Sequence, residues 1–345
     1  MMNHILREDI DNILKENLNW DKFKNTNVLI TGASGMIGSY MLYTLVELNK
    51  REHYNMSLYA LVRHPEKLNR EVLPYINIIN QSVTDPITAD VAFDFVIHTA
   101  SPASPLIMRE DPVGTIAANT IGTYNTLEVA RKGSGKGYLF ISSREIYGQP
   151  YENQRVFTED TYGFVNPLDP RSCYPEGKKA AETMCVCYHK QYGINTKIAR
   201  LAHTFGPGMS IYDGRVQADF LKNVVNNEDI VLKSDGSAIR TYTYAGDATL
   251  ALFYILLDSD DIVYNISSED STVSIKQLAE TLVGAFPERN LSLVFDIPKD
   301  AGNSGCAPFT LGILGSDKLK SIGWNPVYSL EEGLKRTVEF IETNY

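Results

Sequence analysis

Tyr174 and Lys178 stand four residues apart, and Ser143 closes the apolar run Tyr138-Leu139-Phe140-Ile141 upstream of them. On a helix, a spacing of four puts both side chains on one face. A free phenol has a pKa of about 10 and is a poor base at neutral pH. A nearby ammonium favours the phenolate and lowers that value. Tyr174 is therefore a candidate to exchange a proton with a hydroxyl or carbonyl, as base in oxidation and acid in reduction. Ser143, at the end of a strand, can hydrogen-bond the same oxygen. A lone Y-x-x-x-K recurs by chance on many helices, so its weight depends on what surrounds it.

What surrounds it is a nucleotide-binding pattern. The run Asn27-Val28-Leu29-Ile30 reads as a strand, and Ser39 to Leu48 has helical apolar spacing. Between them lies Thr31-Gly32-Ala33-Ser34-Gly35-Met36-Ile37-Gly38. Such a turn points backbone N–H groups and a positive helix end at an anion. Gly32 allows the tight turn, Gly35 lets a pyrophosphate approach, and Gly38 lets the helix pack on the strand. Ser34, Met36 and Ile37 complete the expected cofactor contact. A second strand, Ser57 to Val62, ends in Arg63, where NAD-binding folds carry an acid for the ribose 2′-OH. A guanidinium there can pair with a 2′-phosphate, so NADP(H) is expected ahead of NAD(H). Ser82 and Val83, after the third strand, are expected at the adenine end. A fourth strand, Phe93 to His98, runs into Thr99-Ala100-Ser101-Pro102-Ala103-Ser104-Pro105, a fixed loop that can lie under a cofactor. Thr99, Ala100 and Ser101 are assigned to cofactor, Pro102 and Ser104 to substrate. Asn119 lies on the polar face of the following helix. A glycine turn, a strand-end serine and a Y-x-x-x-K in this order point to nicotinamide redox chemistry. Lys178 can also hold the nicotinamide ribose.

The elements that must position these residues alternate strand and helix up to about Arg200, which predicts an α/β, doubly wound parallel sheet. Residues 1–24 read as a helical arm. Residues 25–203, with about 240–270, read as the cofactor domain, and 204–239 with 271–345 as a smaller substrate lobe. The 345 residues carry a formal charge of −10, which argues against nucleic-acid and anionic-membrane partners. No apolar run reaches the roughly 20 residues of a membrane span, and Met1 to Arg7 is too polar for a signal peptide. A cytoplasmic protein is expected. Cys173, Cys185, Cys187 and Cys306 are scattered without metal-ligand spacing, so reduced thiols and no metal are expected.

The G-x-x-G-x-x-G spacing and the Ser143, Tyr174 and Lys178 set resemble the extended short-chain dehydrogenases/reductases, the sugar-nucleotide epimerase/dehydratase group, over residues 25 to 343. The stretches His98 to Pro105, Asn119 to Thr123, Pro170-Arg171-Ser172-Cys173-Tyr174 and Asp213-Gly214-Arg215-Val216 resemble the UDP-glucuronate decarboxylases among them. The resemblance implies Ser143, Tyr174 and Lys178 as catalytic, with Glu145 beside them. It implies Arg215 and Arg240 on a nucleotide diphosphate, and Arg144 and His203 near the sugar. The chain departs from the pattern at Arg144, where dehydratases have Asp and decarboxylases Ser. It departs again at His203 for Asn, Gly208 for Arg, and Arg63 for an acid. These departures lead to an expected NADP(H)-dependent reduction of a nucleotide-linked sugar or polyol in polysaccharide precursor biosynthesis. The alternatives are decarboxylation, 4,6-dehydration or epimerisation with an internally recycled cofactor, and a cofactor-binding regulator without catalysis. Ile121, Tyr124, Met184 and Tyr188, beyond what one sheet face needs, lead to an expected homodimer.

Overall fold

The computed structural model describes residues 2–151, 154–297 and 311–344; Cys306 lies outside them. Seven parallel strands form the central sheet: β1 (Asn27–Thr31), β2 (Ser57–Val62), β3 (Ile76–Asn80), β4 (Phe95–His98), β5 (Gly137–Ser143), β6 (Thr196–Leu201) and β10 (Val263–Ile266). Their order is β3-β2-β1-β4-β5-β6-β10. β4, β5 and β6 are buried along almost their whole length, as near-continuous apolar runs covered on both faces must be. The order reverses between β1 and β4, and in such sheets ligands bind outside the strand ends at that reversal. Thr31 and His98 are register partners there.

Helices cover both faces. One carries α1 (His4–Lys15), α2 (Met36–Glu52) and α7 (Ala245–Asp258); the other carries α4 (Pro112–Lys132) and α5 (Cys173–Tyr192). The short α3 (Pro105–Glu110) leads into α4. α4 and α5 pack closely: a Cβ on Gly177 would lie 3.0 Å from the Asn119 Cβ. Cys185 is buried and Cys187 exposed, as a spacing of two on a helix dictates. Of the four side chains expected to face a second subunit, Ile121 and Tyr124 are exposed. Met184 and Tyr188 instead pack against the core under α5.

The remaining elements are β7 (His203–Phe205), α6 (Val216–Val225), β8 (Ile230–Leu232), β9 (Ile239–Tyr244), β11 (Thr272–Ser274), α8 (Ile275–Ala285), β12 (Leu293–Phe295), β13 (Leu311–Gly312), α9 (Asp317–Ser321) and α10 (Leu330–Asn344). A separate apolar cluster joins α6, α8 and α10, with Phe205, Tyr242 and Tyr244. A loop is expected over 235–243; Ile239–Tyr244 is a strand instead, and it pairs with β7, β11 and β13. The chain rejoins the large sheet through α7 and β10, the stretch Val263–Ile266 that reads as the returning strand. The Trp324 indole donates to the Asp247 carbonyl at 3.1 Å, and the Asp247 carboxylate accepts the Val327 and Tyr328 amides at 2.8 and 3.2 Å. These bonds tie the final segment to the start of α7. No helix among the described residues is long and apolar enough to cross a membrane.

Candidate active site

The glycine turn sits at the sheet's reversal point. Gly32 has φ +65°, and a Cβ there would lie 2.8 Å from the Ala100 backbone. Only glycine takes that conformation without strain at so close an approach. A Cβ on Gly38 would fall 2.3 Å from the Gly32 carbonyl, so α2 can start against the turn only because Gly38 has none. Gly35 differs: it is exposed, caps α2 without a side-chain hydrogen bond, and its Cβ would meet only the Gly32 carbonyl, at 3.3 Å. Unpaired N–H groups at a helix start, open space before them and the dipole's positive end suit a pyrophosphate. The residues present therefore fit a dinucleotide cofactor. Ser34, Met36 and Ile37 are half-buried around this cradle.

The β4 loop is fixed from several sides. The Thr99 hydroxyl donates to the Thr31 carbonyl at 2.7 Å, and the Ala100 amide to the Thr31 hydroxyl at 3.3 Å. Ser101 donates to the Asn119 amide oxygen at 2.8 Å. Asn119 is buried and anchored by its own bond to the Thr115 carbonyl. Half-buried Pro102 follows, and Ser104 caps α3 while donating to the Asp213 carbonyl at 2.7 Å. Arg63 stands exposed at the end of β2. Ser82 is engaged locally with Thr84 at 2.8 Å, and the Val83 side chain packs against Gly122 in the core. Only the backbone of Val83 remains for an adenine.

Tyr174 is the second residue of α5, buried, with the Ser143 hydroxyl hydrogen-bonded to its phenol. Burial, and then the Glu145 carboxylate, push that phenol up to about 12; Ser143, Arg215 and Arg171 act the other way. Lys178 lies on the same face as Tyr174, with its ammonium committed to the backbone. Its ammonium lies 5.7 Å from the Tyr174 ring centroid, but its hydrogen bond, at 2.6 Å, goes to the Ile141 carbonyl. Burial draws Lys178 down to about 7 against the pull of Glu182 and Cys185. A shared helix face brought the pair together; the adjacent strand end captured the ammonium. Beside them His98 is buried and driven down to about 3 by burial and Lys178, so it is neutral. Its Nδ1 meets the Thr31 hydroxyl at 2.8 Å, and its Nε2 is buried without a partner.

Glu145 begins the turn after β5, its amide donating to Ser143 Oγ at 3.2 Å. Arg171 Nη2 donates to both its carboxylate oxygens at 2.9 Å. Sequence reasoning did not single out Arg171. The signal was available: in Pro170-Arg171-Ser172-Cys173-Tyr174 the guanidinium sits three residues before the tyrosine, one helical turn away. Arg215 caps α6 and is gripped by Asp213, with Nη2 to Oδ2 at 2.8 Å and Nε to Oδ1. Arg240, on β9, donates to the Ile239 carbonyl at 2.8 Å. Arg144 is buried, its guanidinium 5.9 Å over the Phe157 ring. Burial, opposed by Glu145 and helped by Arg240, brings it down to about 10. A Cβ on Gly312 would lie 2.9 Å from Arg240 Cδ and 3.7 Å from Arg144 Cζ, so β13 crosses close beside both arginines. His203 feels burial first, then Arg144, Arg240 and Arg215, and is held well below the usual histidine value. Its Nδ1 is buried without a partner. Arg215 thus acts on both Tyr174 and His203.

A second network, also not read from sequence, stands behind the site. Arg200 holds Glu182 at 2.7 Å and the Tyr147 hydroxyl at 2.7 Å; Ser142 donates to Glu182 at 2.5 Å, and Tyr147 to Asn265 at 2.7 Å. It braces β5, β6, β10 and α5 around Ser143 and Tyr174.

This arrangement matches known proteins. The model of the NAD dependent epimerase/dehydratase family covers residues 28–267. UDP-glucuronic acid decarboxylase 3 of Arabidopsis thaliana is 34% identical over 312 residues, 90% of this chain and 87% of that protein. UDP-glucuronic acid decarboxylase 1 of Xenopus tropicalis is 33% identical over 320 residues, 91% of this chain and 71% of that one. The solved UDP-glucose 4-epimerase of Thermotoga maritima, with UDP-glucose, superposes with a TM-score of 0.78 at 26% identity, over 92% of this chain and 99% of that one. These relatives favour the redox-recycling alternative over the net reduction expected from Arg63 and Arg144.

Proposed function

Because the chain belongs to the NAD-dependent epimerase/dehydratase family, enzymes acting on nucleotide sugars, we propose that it converts a nucleoside-diphosphate uronic acid by decarboxylation without net redox change. The observation that carries this reading is a cluster of arginines around the site: β13 passes beside Arg144 and Arg240, Arg171 is paired with Glu145 next to Ser143, and Arg215 acts on both Tyr174 and His203. Guanidinium groups match phosphate and carboxylate oxygens bidentately. A diphosphate fits Arg215 and Arg240, and a sugar carboxylate fits the buried Arg144 beside Ser143. A bound nicotinamide dinucleotide would supply reversible hydride transfer here. The glycine turn and the Thr99–Ser101 loop hold that cofactor. Ser143, Arg215 and Arg171 draw the Tyr174 phenol down against its burial, and the positive charge of an oxidised nicotinamide would draw it further. As the phenolate it accepts the proton of the sugar hydroxyl as that becomes a ketone. A ketone β to a carboxylate makes loss of carbon dioxide facile, because the electrons left behind are shared with the carbonyl oxygen. Ser143 and Tyr174 hydrogen-bond that oxygen as it gains charge. The carbon that lost carbon dioxide takes a proton from water, which restores the ketone, and Tyr174 returns its own proton to the oxygen when that ketone is reduced again. Arg171 orients Glu145 by donating to both of its carboxyl oxygens.

Incubation with UDP-glucuronate, without added reductant, should yield carbon dioxide and a UDP-pentose. Stoichiometric consumption of NADPH with a keto-sugar nucleotide, and no carbon dioxide from the uronate, would restore the net-reduction reading. The exposed Arg63 and the engagement of its nearest acid, Glu66, with His64 at 3.1 Å support tighter binding of NADP(H) than NAD(H). Ile116, Ile121 and Tyr124 on α4 and Val186 on α5 are exposed, and we read this face as the seat of a second copy. Light scattering at micromolar concentration should give the mass of a dimer.

A further inference from the structure

The family model begins at residue 28, so α1 lies outside it, yet α1 carries a fully enclosed carboxylate. Asp9 is 1% exposed. Its Oδ2 accepts the Tyr40 hydroxyl at 2.7 Å and the Tyr244 hydroxyl at 2.8 Å, and its Oδ1 accepts Arg336 Nη2 at 2.7 Å. Arg336 also reaches the Ile5 carbonyl at 3.1 Å and Glu8 at 3.0 Å. A buried charge persists only when paired and fully hydrogen-bonded, and here the partners come from three other elements. Tyr40 is on α2, five residues from Gly35, which is about 7.5 Å along the axis. Tyr244 ends β9, four residues from Arg240, which is about 13 Å along a strand. Arg336 is on α10, whose Leu334 and Val338 lie in the second apolar cluster. One carboxylate therefore ties the helix that opens the dinucleotide cradle to the strand that carries Arg240.

We propose that Asp9 is a positioning residue that couples cofactor binding at the start of α2 to nucleotide binding at β9. A dinucleotide that fixes α2 fixes Tyr40, and Asp9 then holds Tyr244 and Arg336 to that position. A role confined to stability would lower the melting temperature of an Asp9 variant without changing how one ligand affects the other. The assignment of β9 to nucleotide binding rests on the function proposed above; the mechanical link does not.

The test uses NAD+ and UDP as probes on the full chain. In the wild type, NAD+ should tighten UDP binding by about fivefold or more, the lower end of ordinary coupling, and slow amide exchange in Ile239–Tyr244 and Leu330–Asn344. In Asp9→Asn both effects should vanish while NAD+ affinity changes less than about twofold. If Asp9→Asn fails to fold, Tyr40→Phe and Tyr244→Phe, which leave the Asp9–Arg336 pair intact, should each lose the coupling. Exchange in β9 and α10 that ignores NAD+ in the wild type, or that responds equally in these variants, overturns the proposal. If UDP does not bind, the nucleotide reading of β9 falls, and the exchange measurement alone decides the link.

Discussion

The two halves of the site are made of different material. The cofactor half is backbone: the residues from Gly32 to Gly38, whose fitness depends on where a Cβ could not go. The substrate half is long cationic side chains, Arg144, Arg171, Arg215 and Arg240, delivered from four separated segments around Tyr174 and His203. A backbone site is local in the chain and tolerates no side chain at certain points. A side-chain site is assembled only by the fold, and its selectivity is set by charge.

Tyr174 is where the halves meet, so its removal is the largest expected effect. Tyr174→Phe should cut turnover by about 10²–10⁴-fold, the usual contribution of a positioned acid or base. Titration should show cofactor affinity unchanged, because the phenol lies outside the backbone cradle. A parallel loss of cofactor binding would mean that the halves are not separable.

Lys178 tests the same boundary through stability. Its folded value of about 7 lies below the ordinary lysine value of 10.5, because burial penalises the charged form. The unfolded chain therefore binds more protons between those values, and the penalty is full below about pH 7 and fades as pH rises. With about 1.36 kcal/mol per unit, the burden is on the order of 4–5 kcal/mol. Lys178→Met should melt above the wild type at pH 6–7, with the gap closing towards pH 10. A gap independent of pH would show that the ammonium is not held against its charge.

The contrast between the halves also decides what could be read before folding. The glycine turn was legible because strand, turn and helix are contiguous and each glycine has a geometric reason. Tyr174, Lys178 and Ser143 were legible as a set, yet the partner of Lys178 was not: spacing says which face it shares, not that the Ile141 carbonyl lies closer. Arg171 was visible in a motif but silent until Glu145 arrived from the preceding turn. β9 was not legible, because the Asp235, Ser237 and Gly236 that open its segment read as a loop through Thr243. The Asp9 contacts, reaching as far as Arg336, depend on packing that no local pattern encodes.

The substrate half should respond to charge alone. Arg240→Ala should weaken UDP binding by about 10- to 150-fold, the loss of roughly 1.5–3 kcal/mol of charge-assisted hydrogen bonding. NAD+ affinity measured without UDP should stay where it is. If NAD+ binding weakens by a similar factor, Arg240 serves the wrong half.

Arg63 is the one place where the cofactor half is expected to use a side chain's charge, and there the effect should be smallest. It is exposed at the end of β2, close to where the turn fixes a bound dinucleotide's ribose. A 2′-phosphate brings close to two negative charges within reach of a guanidinium. Water screens an exposed pair, so the gain falls near the lower end of charge-assisted bonds, about 1.4 kcal/mol or roughly tenfold. Glu66, the acid that could oppose it, is turned to His64. Ser82 is engaged with Thr84 and carries no carboxylate for the adenine, so the phosphate contact bears more of the discrimination. Titration should show NADPH binding about tenfold tighter than NADH in the wild type, and near equality in Arg63→Ala. Equal affinities in the wild type would leave the cofactor half wholly backbone-built and make NAD(H) the resident cofactor. A preference that survives Arg63→Ala would move the phosphate contact to Lys67 or His64, the other cationic groups of that turn.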